Sequence, residues 1–263
     1  MNTLLTLTAI VLVSFGTSFE DSRQATIVAV ERDVQDAYPD AYVVSAYTST
    51  IIRKKLLQRD GTKIFSVEEA LEDVKARGLK NVIIQPTHLM YGIEYNEMIS
   101  LSEPYAEYFD NVFYGAPLLA STEDISRVLN ALSEANPLKK NEALVLMGHG
   151  SEYFSNFLYA AVDYQAKAEG HKNIFVGTVE AYPSIEEVLR LTKEAKIKKV
   201  TLTPLMLVSG DHANNDMAGD EEDSWKSRFI KAGFKTETLL KGLGEYPQIR
   251  RLYIEHIAQA MRQ

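Results

Sequence analysis

The chain contains no cysteine among its 263 residues. This absence excludes disulfide bonds, thiolate metal ligands and a cysteine nucleophile. It agrees with a reducing compartment, and we expect a cytoplasmic protein.

The sequence also lacks a long hydrophobic run and an early positive charge. The apolar stretch Leu4–Val13 is too short to span a bilayer as a helix. No Lys or Arg precedes Arg23, and no small-x-small cleavage site is evident, so the features of a signal peptide are missing. We interpret Leu4–Val13 as a buried first strand, and we expect no membrane partner.

Positive charge is in deficit overall, and nucleotide motifs are missing. There are 28 Lys and Arg against 36 Asp and Glu, a net charge of −8, which argues against binding to nucleic acid phosphates. The chain has no Walker loop, no Gly-x-Gly-x-x-Gly fingerprint and no Gly-x-Ser-x-Gly elbow. ATP and NAD dependence are therefore not expected.

What the chain does have is alternation of apolar runs with helix-period segments, which predicts α/β architecture with a parallel sheet. Pro137, in a polar stretch, marks a linker and divides the chain into domains at 1–136 and 137–263. The last helix, about residues 246–263, can pack on the N-terminal domain. The first predicted helix begins near Ser18. The other predicted helices cover Val67–Arg77, Asp124–Glu134, Ser184–Ala195 and Tyr246–Arg262.

The two halves of the chain resemble each other at three anchors in the same order. Chance similarity between α/β units is the alternative, but the shared order favours duplication. The aligned pairs are Gly16 with Gly150, Ser45–Tyr47 with Glu180–Tyr182, and Pro86–Gly92 with Pro204–Gly210.

Three residues of the second half form a candidate metal site. His149, Glu180 and His212 each follow an apolar run that is typical of a buried strand. Ligands of open parallel sheets bind outside the carboxyl ends of the strands. Either histidine alone is more often a capping or hydrogen-bonding residue, but two imidazoles and a carboxylate together suit a divalent transition metal.

The first half lacks this set. The alignment places Phe15, Ser45 and Glu94 opposite the three candidate ligands. We therefore expect the second half to carry the metal ligands, and the first half to supply the other wall of a cleft between two similar domains.

Other side chains are candidates for contact with a substrate. His88 ends the matching strand of the first half. Arg53 belongs to a basic cluster that is either an exposed helix face or a site for an anionic substrate. The acidic run Asp211–Asp223 is either a solvated segment or a funnel that concentrates divalent cations.

Six motifs along the chain form a recognisable set: Val13–Ser18, Met147–Gly150, Val179–Pro183, Pro204–Met217, Asp223–Lys226 and Gly242–Glu245. At these motifs the chain resembles the anaerobic sirohydrochlorin cobaltochelatases of the CbiK family, which are class II tetrapyrrole metal chelatases. The similarity extends over essentially the whole length, and the longest motif is specific.

The resemblance implies two Rossmann-like domains and a lyase that inserts Co²⁺ into sirohydrochlorin without ATP, in the anaerobic route to cobalamin. Co²⁺ is then the substrate metal. His149, Glu180 and His212 match the family's metal-binding residues, and His149 or Glu180 would accept the pyrrole protons. Phe15 and Tyr47 could stack on the macrocycle.

The remaining expectations concern the substrate and the alternatives. Arg53, His88 and Glu94 complete the predicted substrate-binding set. A chelatase for Fe²⁺ or Ni²⁺ stays open, because His and carboxylate ligands discriminate poorly between these metals. A non-catalytic metal or haem carrier, with His88 or His149 as an axial ligand, is the alternative from another class. We expect a homo-oligomer.

Overall fold

The computed structural model describes residues 7–262. Residues 4–6 of the predicted first strand lie outside this range. The described part of that strand is β1, Thr8–Ser14, and every one of its residues is buried. A strand buried on both faces is typical of a parallel sheet that has helices on each side.

The first sheet contains four parallel strands in the order β2-β1-β3-β4. Residues Glu20–Ala37 form a helical run that connects β1 to β2, and its middle is a π-helical segment. The other strands are β2 (Tyr42–Tyr47), β3 (Asn81–Pro86) and β4 (Asn111–Tyr114), and the helices are α1 (Glu20–Arg23), α2 (Ala29–Ala37), α3 (Thr50–Asp60), α4 (Val67–Ala76) and α5 (Ile93–Ser102).

The second sheet repeats this arrangement, with four parallel strands in the order β6-β5-β7-β8. Its strands are β5 (Glu142–Gly148), β6 (Ile174–Thr178), β7 (Lys199–Pro204) and β8 (Lys235–Thr238), and the helices that follow α5 in the chain are α6 (Thr122–Ala135), α7 (Phe157–Ala168), α8 (Ile185–Glu194), α9 (Trp225–Lys231) and α10 (Pro247–Ala260). The prediction of an α/β protein with two parallel sheets flanked by helices is confirmed.

The hydrogen-bond register supports the internal repeat and corrects part of the alignment. Val13 pairs with Pro86 in the first sheet, and Met147 pairs with Pro204 in the second, as the aligned prolines require. However, the Ser49 amide donates to Phe15 O, just as the Glu180 amide donates to His149 O. The counterpart of Glu180 is therefore Ser49, and the predicted match with Ser45 was wrong.

A local signal identifies the next pair of equivalent elements. Ser66 and Ser184 each precede a helix with a capping box. In this motif, the carboxylate of a Glu three residues later accepts a hydrogen bond from the backbone amide of the serine. The capping boxes mark α4 and α8 as equivalent helices. The first half has an additional helix, α3, between its second strand and this capping box. This helix follows Ser49, so the misalignment arose before it: Ser49 is 33 positions after Gly16, whereas Glu180 is 30 positions after Gly150.

The contacts divide the chain into two compact units. One contains residues up to Ala120 together with those from Ile249 onward, and the other contains Ser121–Gln248. The predicted boundary at 136/137 lies after α6, whereas the structure assigns α6 to the second unit. The reason is that α6 packs against α7, where the side-chain Nε2 of Gln165 donates to Thr122 O at 2.7 Å and to Ser126 Oγ at 2.8 Å.

Helix α10 belongs to the first unit through specific polar contacts. Arg250 Nε donates to Asp33 Oδ2 at 2.5 Å, and the buried Tyr253 hydroxyl donates to Thr87 O at 3.1 Å. Ile249, Leu252 and Ile257 add buried apolar surface. Among residues 7–262, no helix is long and apolar enough to cross a membrane.

The Tyr253 contact yields a stability prediction. Replacing Tyr253 with Phe keeps the buried ring but removes the donor to Thr87 O, so we expect the free energy of unfolding to fall by about 1–2 kcal/mol. Tyr164→Phe is the matched control, because that side chain is 77% exposed. Urea unfolding of both variants measures the difference. Equal stability of the two variants would contradict a structural role for the Tyr253 hydroxyl.

Candidate metal centre

His149 occupies a tight turn directly after β5. The following Gly150 has φ +92°, and a Cβ at this position would lie 2.9 Å from the Ala181 amide nitrogen. A Cβ at Gly148 would lie 2.1 Å from a ring carbon of Tyr159. Only glycine meets both demands, since it adopts positive φ freely and has no Cβ to clash. Gly150 therefore allows the His149 turn to lie against the loop after β6, and Gly148 allows the Tyr159 ring to pack against the end of β5.

Glu180 lies in that neighbouring loop. Its amide donates to His149 O at 3.0 Å, and the Val179 amide donates to Gly148 O at 3.0 Å. These bonds continue the parallel ladder beyond the strand ends, so the backbones of His149 and Glu180 are held in register. The Glu180 carboxylate is exposed, which leaves its oxygens free to contact a ligand.

His212 lies in a short helical segment after β7. The segment is fixed by Ala213 and Met217, both fully buried in the core of the second unit. The Asn214 side chain adds a hydrogen bond to Gly210 O at 2.7 Å. With one face of the segment anchored in this way, the His212 imidazole remains partly exposed, at 32%.

The structure brings the three predicted residues together. One ligand atom from each of His149, Glu180 and His212 lies within 4.8 Å of the others. The two imidazole rings meet edge to face with centroids 4.5 Å apart, and His149 Nδ1 lies 3.8 Å from Glu180 Oε2. Two nitrogens and one carboxylate at this spacing suit a divalent transition metal and leave coordination positions open.

Hydrogen bonds at Nδ1 orient both imidazoles. His149 Nδ1 lies 2.8 Å from Gly150 O, and His212 Nδ1 lies 2.8 Å from Asp216 Oδ2. A carbonyl or carboxylate oxygen accepts, so Nδ1 is the donor in each case and Nε2 keeps its lone pair for a metal. Sequence reasoning missed Asp216 because it treated the acidic run as a charge cluster. Its spacing of four residues from His212 was the available signal.

Two residues predicted to stack on a substrate differ in exposure. Phe15 is 53% exposed, so its ring is available for contact. Tyr47 is buried, and a Cβ at Gly16 would lie 2.4 Å from its ring, which shows how closely the ring packs under that turn. The prediction that Tyr47 stacks on a substrate was wrong, because the ring supports the turn that carries Phe15.

The other predicted substrate-binding residues also lie in the first unit. Arg53 is on α3, where its guanidinium contacts Thr50 Oγ1 at 3.3 Å and Glu69 Oε2 at 3.4 Å. Glu94 is partly exposed in the first turn of α5. His88 is buried, and neither ring nitrogen has a hydrogen-bond partner. Burial lowers the pKa of His88 to about 4.

Solved structures place this fold in a class of proteins. SirB from Bacillus subtilis with Fe³⁺ aligns with a TM-score of 0.67 at 15% identity, over 96% of this chain and 95% of that chain. The sirohydrochlorin chelatase SirB from Bacillus subtilis subspecies spizizenii in complex with cobalt aligns with a TM-score of 0.66 at 13% identity, over 97% and 95%. The fold is that of the sirohydrochlorin chelatases.

Sequence comparison identifies the family within that class. The model of the cobalt chelatase family (CbiK) matches residues 8–262. The sirohydrochlorin cobaltochelatase of Salmonella typhimurium is 39% identical over 254 residues, which is 96% of each chain. The sirohydrochlorin cobaltochelatase CbiKC of Nitratidesulfovibrio vulgaris is 30% identical over 261 residues, 98% of this chain and 92% of that protein. The chain belongs to the CbiK cobalt chelatase family.

The buried His88 yields a pH prediction. Its folded pKa of about 4 lies below the ordinary 6.5, so the unfolded chain binds the proton first as pH falls. The contribution of neutral His88 to the free energy of unfolding is therefore fully present above pH 6.5. It falls as the pH approaches 4, by roughly 3 kcal/mol at the lower limit. His88→Met introduces the side chain of Met206, its counterpart in the second repeat, and should flatten this decline.

Urea unfolding at several pH values between about 4 and 7 measures the effect. His171→Met is the matched control, because His171 is not buried and contacts Asn130. That variant should keep the wild-type pH dependence. If His88→Met declines as steeply as wild type on acidification, the folded His88 does not resist protonation.

Proposed function

We propose that the protein inserts Co²⁺ into sirohydrochlorin, without ATP, to give cobalt-sirohydrochlorin in anaerobic cobalamin biosynthesis. The observation that carries the proposal is the approach of His149, Glu180 and His212 to within 4.8 Å of one another. Membership of the cobalt chelatase family, and relatives named sirohydrochlorin cobaltochelatases, support the substrate and the metal.

The donor set suits a metal that must be handed on. Two imidazole nitrogens and one carboxylate oxygen leave positions free for incoming pyrrole nitrogens. The three side chains are 32–55% exposed, so water and substrate reach them. Such a partial shell binds a dication without enclosing it, and transfer to the macrocycle can proceed by exchanging one ligand at a time.

The proton balance assigns a second role to the same residues. Insertion of Co²⁺ forms bonds to the pyrrole nitrogens and releases two protons from them, so the exchange conserves charge. Glu180 and His149 lie 3.8 Å apart at the ligand cluster, and each can accept a proton as it gives up the metal. We assign them the catalytic role, with all three residues binding the metal.

Removal of the imidazoles is the direct test. His149→Ala and His212→Ala should each lower cobalt insertion by more than the roughly 10- to 100-fold that is typical for loss of a residue outside the ligand shell. The measurement is the absorbance change when purified protein, sirohydrochlorin and Co²⁺ are mixed without ATP, relative to the uncatalysed rate.

His171→Ala provides the control for the loss of a histidine in the same unit. It should insert cobalt at the wild-type rate, because His171 is not one of the clustered ligands. Wild-type activity in His149→Ala and His212→Ala would refute the assignment. Stoichiometric haem binding without turnover would instead favour the carrier.

The choice of metal needs its own measurement, because the donor set does not distinguish Co²⁺ strongly from Fe²⁺ or Ni²⁺. Competition at equal free concentrations of the three ions would report the preferred product. Faster insertion of Fe²⁺ or Ni²⁺ would support the alternative chelatase. The cytoplasmic location and the homo-oligomeric state stay predictions.

Phe15 provides a test of substrate contact. We propose that its exposed ring stacks on the macrocycle, so Phe15→Ala should raise KM for sirohydrochlorin by about three- to tenfold. KM for Co²⁺ should be unchanged. Leu57→Ala is the matched control, since Leu57 is 52% exposed and Phe15 is 53% exposed in the same unit. Equal KM values for the two variants would exclude a stacking role.

A further inference from the structure

The two candidate imidazole ligands differ in what holds their second nitrogen. His212 Nδ1 donates to the carboxylate of Asp216 at 2.8 Å, four residues along the same helical segment. His149 Nδ1 donates to the neutral backbone carbonyl of Gly150, also at 2.8 Å. The distances are equal, so the difference between the two ligands is the charge of the acceptor.

The backbone that carries Asp216 is held in place by its neighbours in the segment. The adjacent Met217 is fully buried in the core of the second unit. The Gly219 amide donates to Asn215 O at 3.0 Å, and a Cβ at Gly219 would lie 2.3 Å from that oxygen, so the backbone closes tightly after Asp216. A side chain on a fixed backbone loses little conformational freedom when it orients a neighbour.

A carboxylate acceptor has two consequences for an imidazole. It favours the tautomer with the proton on Nδ1, so Nε2 presents its lone pair. It also raises the electron density of the ring, which strengthens the bond that Nε2 makes to a metal. A backbone carbonyl has the first effect and much less of the second. His212 is therefore prepared as the stronger of the two nitrogen ligands.

We propose that Asp216 is a positioning residue that makes His212 the anchoring ligand for the metal, and that His149 is the imidazole released first during transfer. This inference rests on the proposed function. The carboxylate itself does not contact metal or substrate. It acts through the orientation and tautomer of His212, so that the metal stays attached at one point while the other ligands exchange.

Three variants separate this role from general effects. Asp216→Ala removes both the hydrogen bond and the charge. Asp216→Asn keeps an acceptor oxygen but removes the charge. Asp211→Asn is the matched control: it removes one negative charge from the same acidic segment, and Asp211 contacts Asn215 rather than His212. Thermal unfolding of each variant verifies that it folds.

The first readout is the tautomer of His212 in metal-free protein. Nitrogen-15 NMR of histidine-labelled protein should show the Nδ1–H tautomer for His212 in wild type and in Asp211→Asn. In Asp216→Ala the tautomer should shift towards Nε2–H, because the acceptor at Nδ1 is missing. An unchanged tautomer in Asp216→Ala would overturn the proposal.

The second readout is cobalt binding by calorimetry at fixed pH. Asp216→Ala should weaken Co²⁺ binding by about 10- to 100-fold. Asp216→Asn should fall between this variant and wild type, and Asp211→Asn should stay within about twofold of wild type. If Asp216→Ala and Asp211→Asn weaken binding equally, the effect is the charge of the segment and the positioning role is refuted.

Turnover provides a third readout of the anchoring role. Asp216→Ala should raise KM for Co²⁺ without lowering kcat, since a less firmly held metal transfers as easily. A fall in kcat with KM unchanged would contradict the anchoring role. Failure of the wild type to insert cobalt would refute the proposed function alone, because the tautomer and binding measurements test Asp216 without turnover.

Discussion

The parallel register at the carboxyl ends of β5, β6 and β7 is the constraint on which the metal centre depends. The ladder continues past the last strand residues, where the Glu180 amide donates to His149 O and the Leu205 amide donates to Met147 O. These backbone bonds bring the three connecting loops to one edge of the sheet. The close approach of the His149 turn to the Glu180 loop is possible because Gly150 places no side chain against the Ala181 amide. Main-chain geometry thus determines where the three ligand side chains lie, and the side chains supply the metal-binding atoms at that place.

Sequence reasoning succeeded where the pattern follows from strand chemistry. Apolar runs that end in His149, Glu180 and His212 predicted both the sheet and the convergence, because parallel strands share a direction. It failed where spacing alone had to decide. The connection from Gly16 to Ser49 is three residues longer than the connection from Gly150 to Glu180, so nearly equal spacing matched Glu180 with Ser45 instead of Ser49. Only hydrogen bonding in the folded sheet determines that register.

Burial was the other quantity that the sequence could not supply. Tyr47 and Phe15 are both aromatic residues near the end of a strand, yet one ring supports the Gly16 turn and the other is exposed. Asp216 is one acid among many in its segment, and only the position of its carboxylate beside His212 distinguishes it. Long-range packing decides such cases, and a linear pattern does not encode it.

The membership of α10 in the first unit has a consequence for how the chain folds during synthesis. The first unit is discontinuous, since residues up to Ala120 are completed by a segment that starts at Ile249, whereas the second unit is the uninterrupted stretch between them. Tyr253 and Ile257 are fully buried, so the core of the first unit lacks part of its apolar surface until the last helix has been made. The second unit, which carries the candidate metal ligands, can therefore be completed on the ribosome before the first unit is complete.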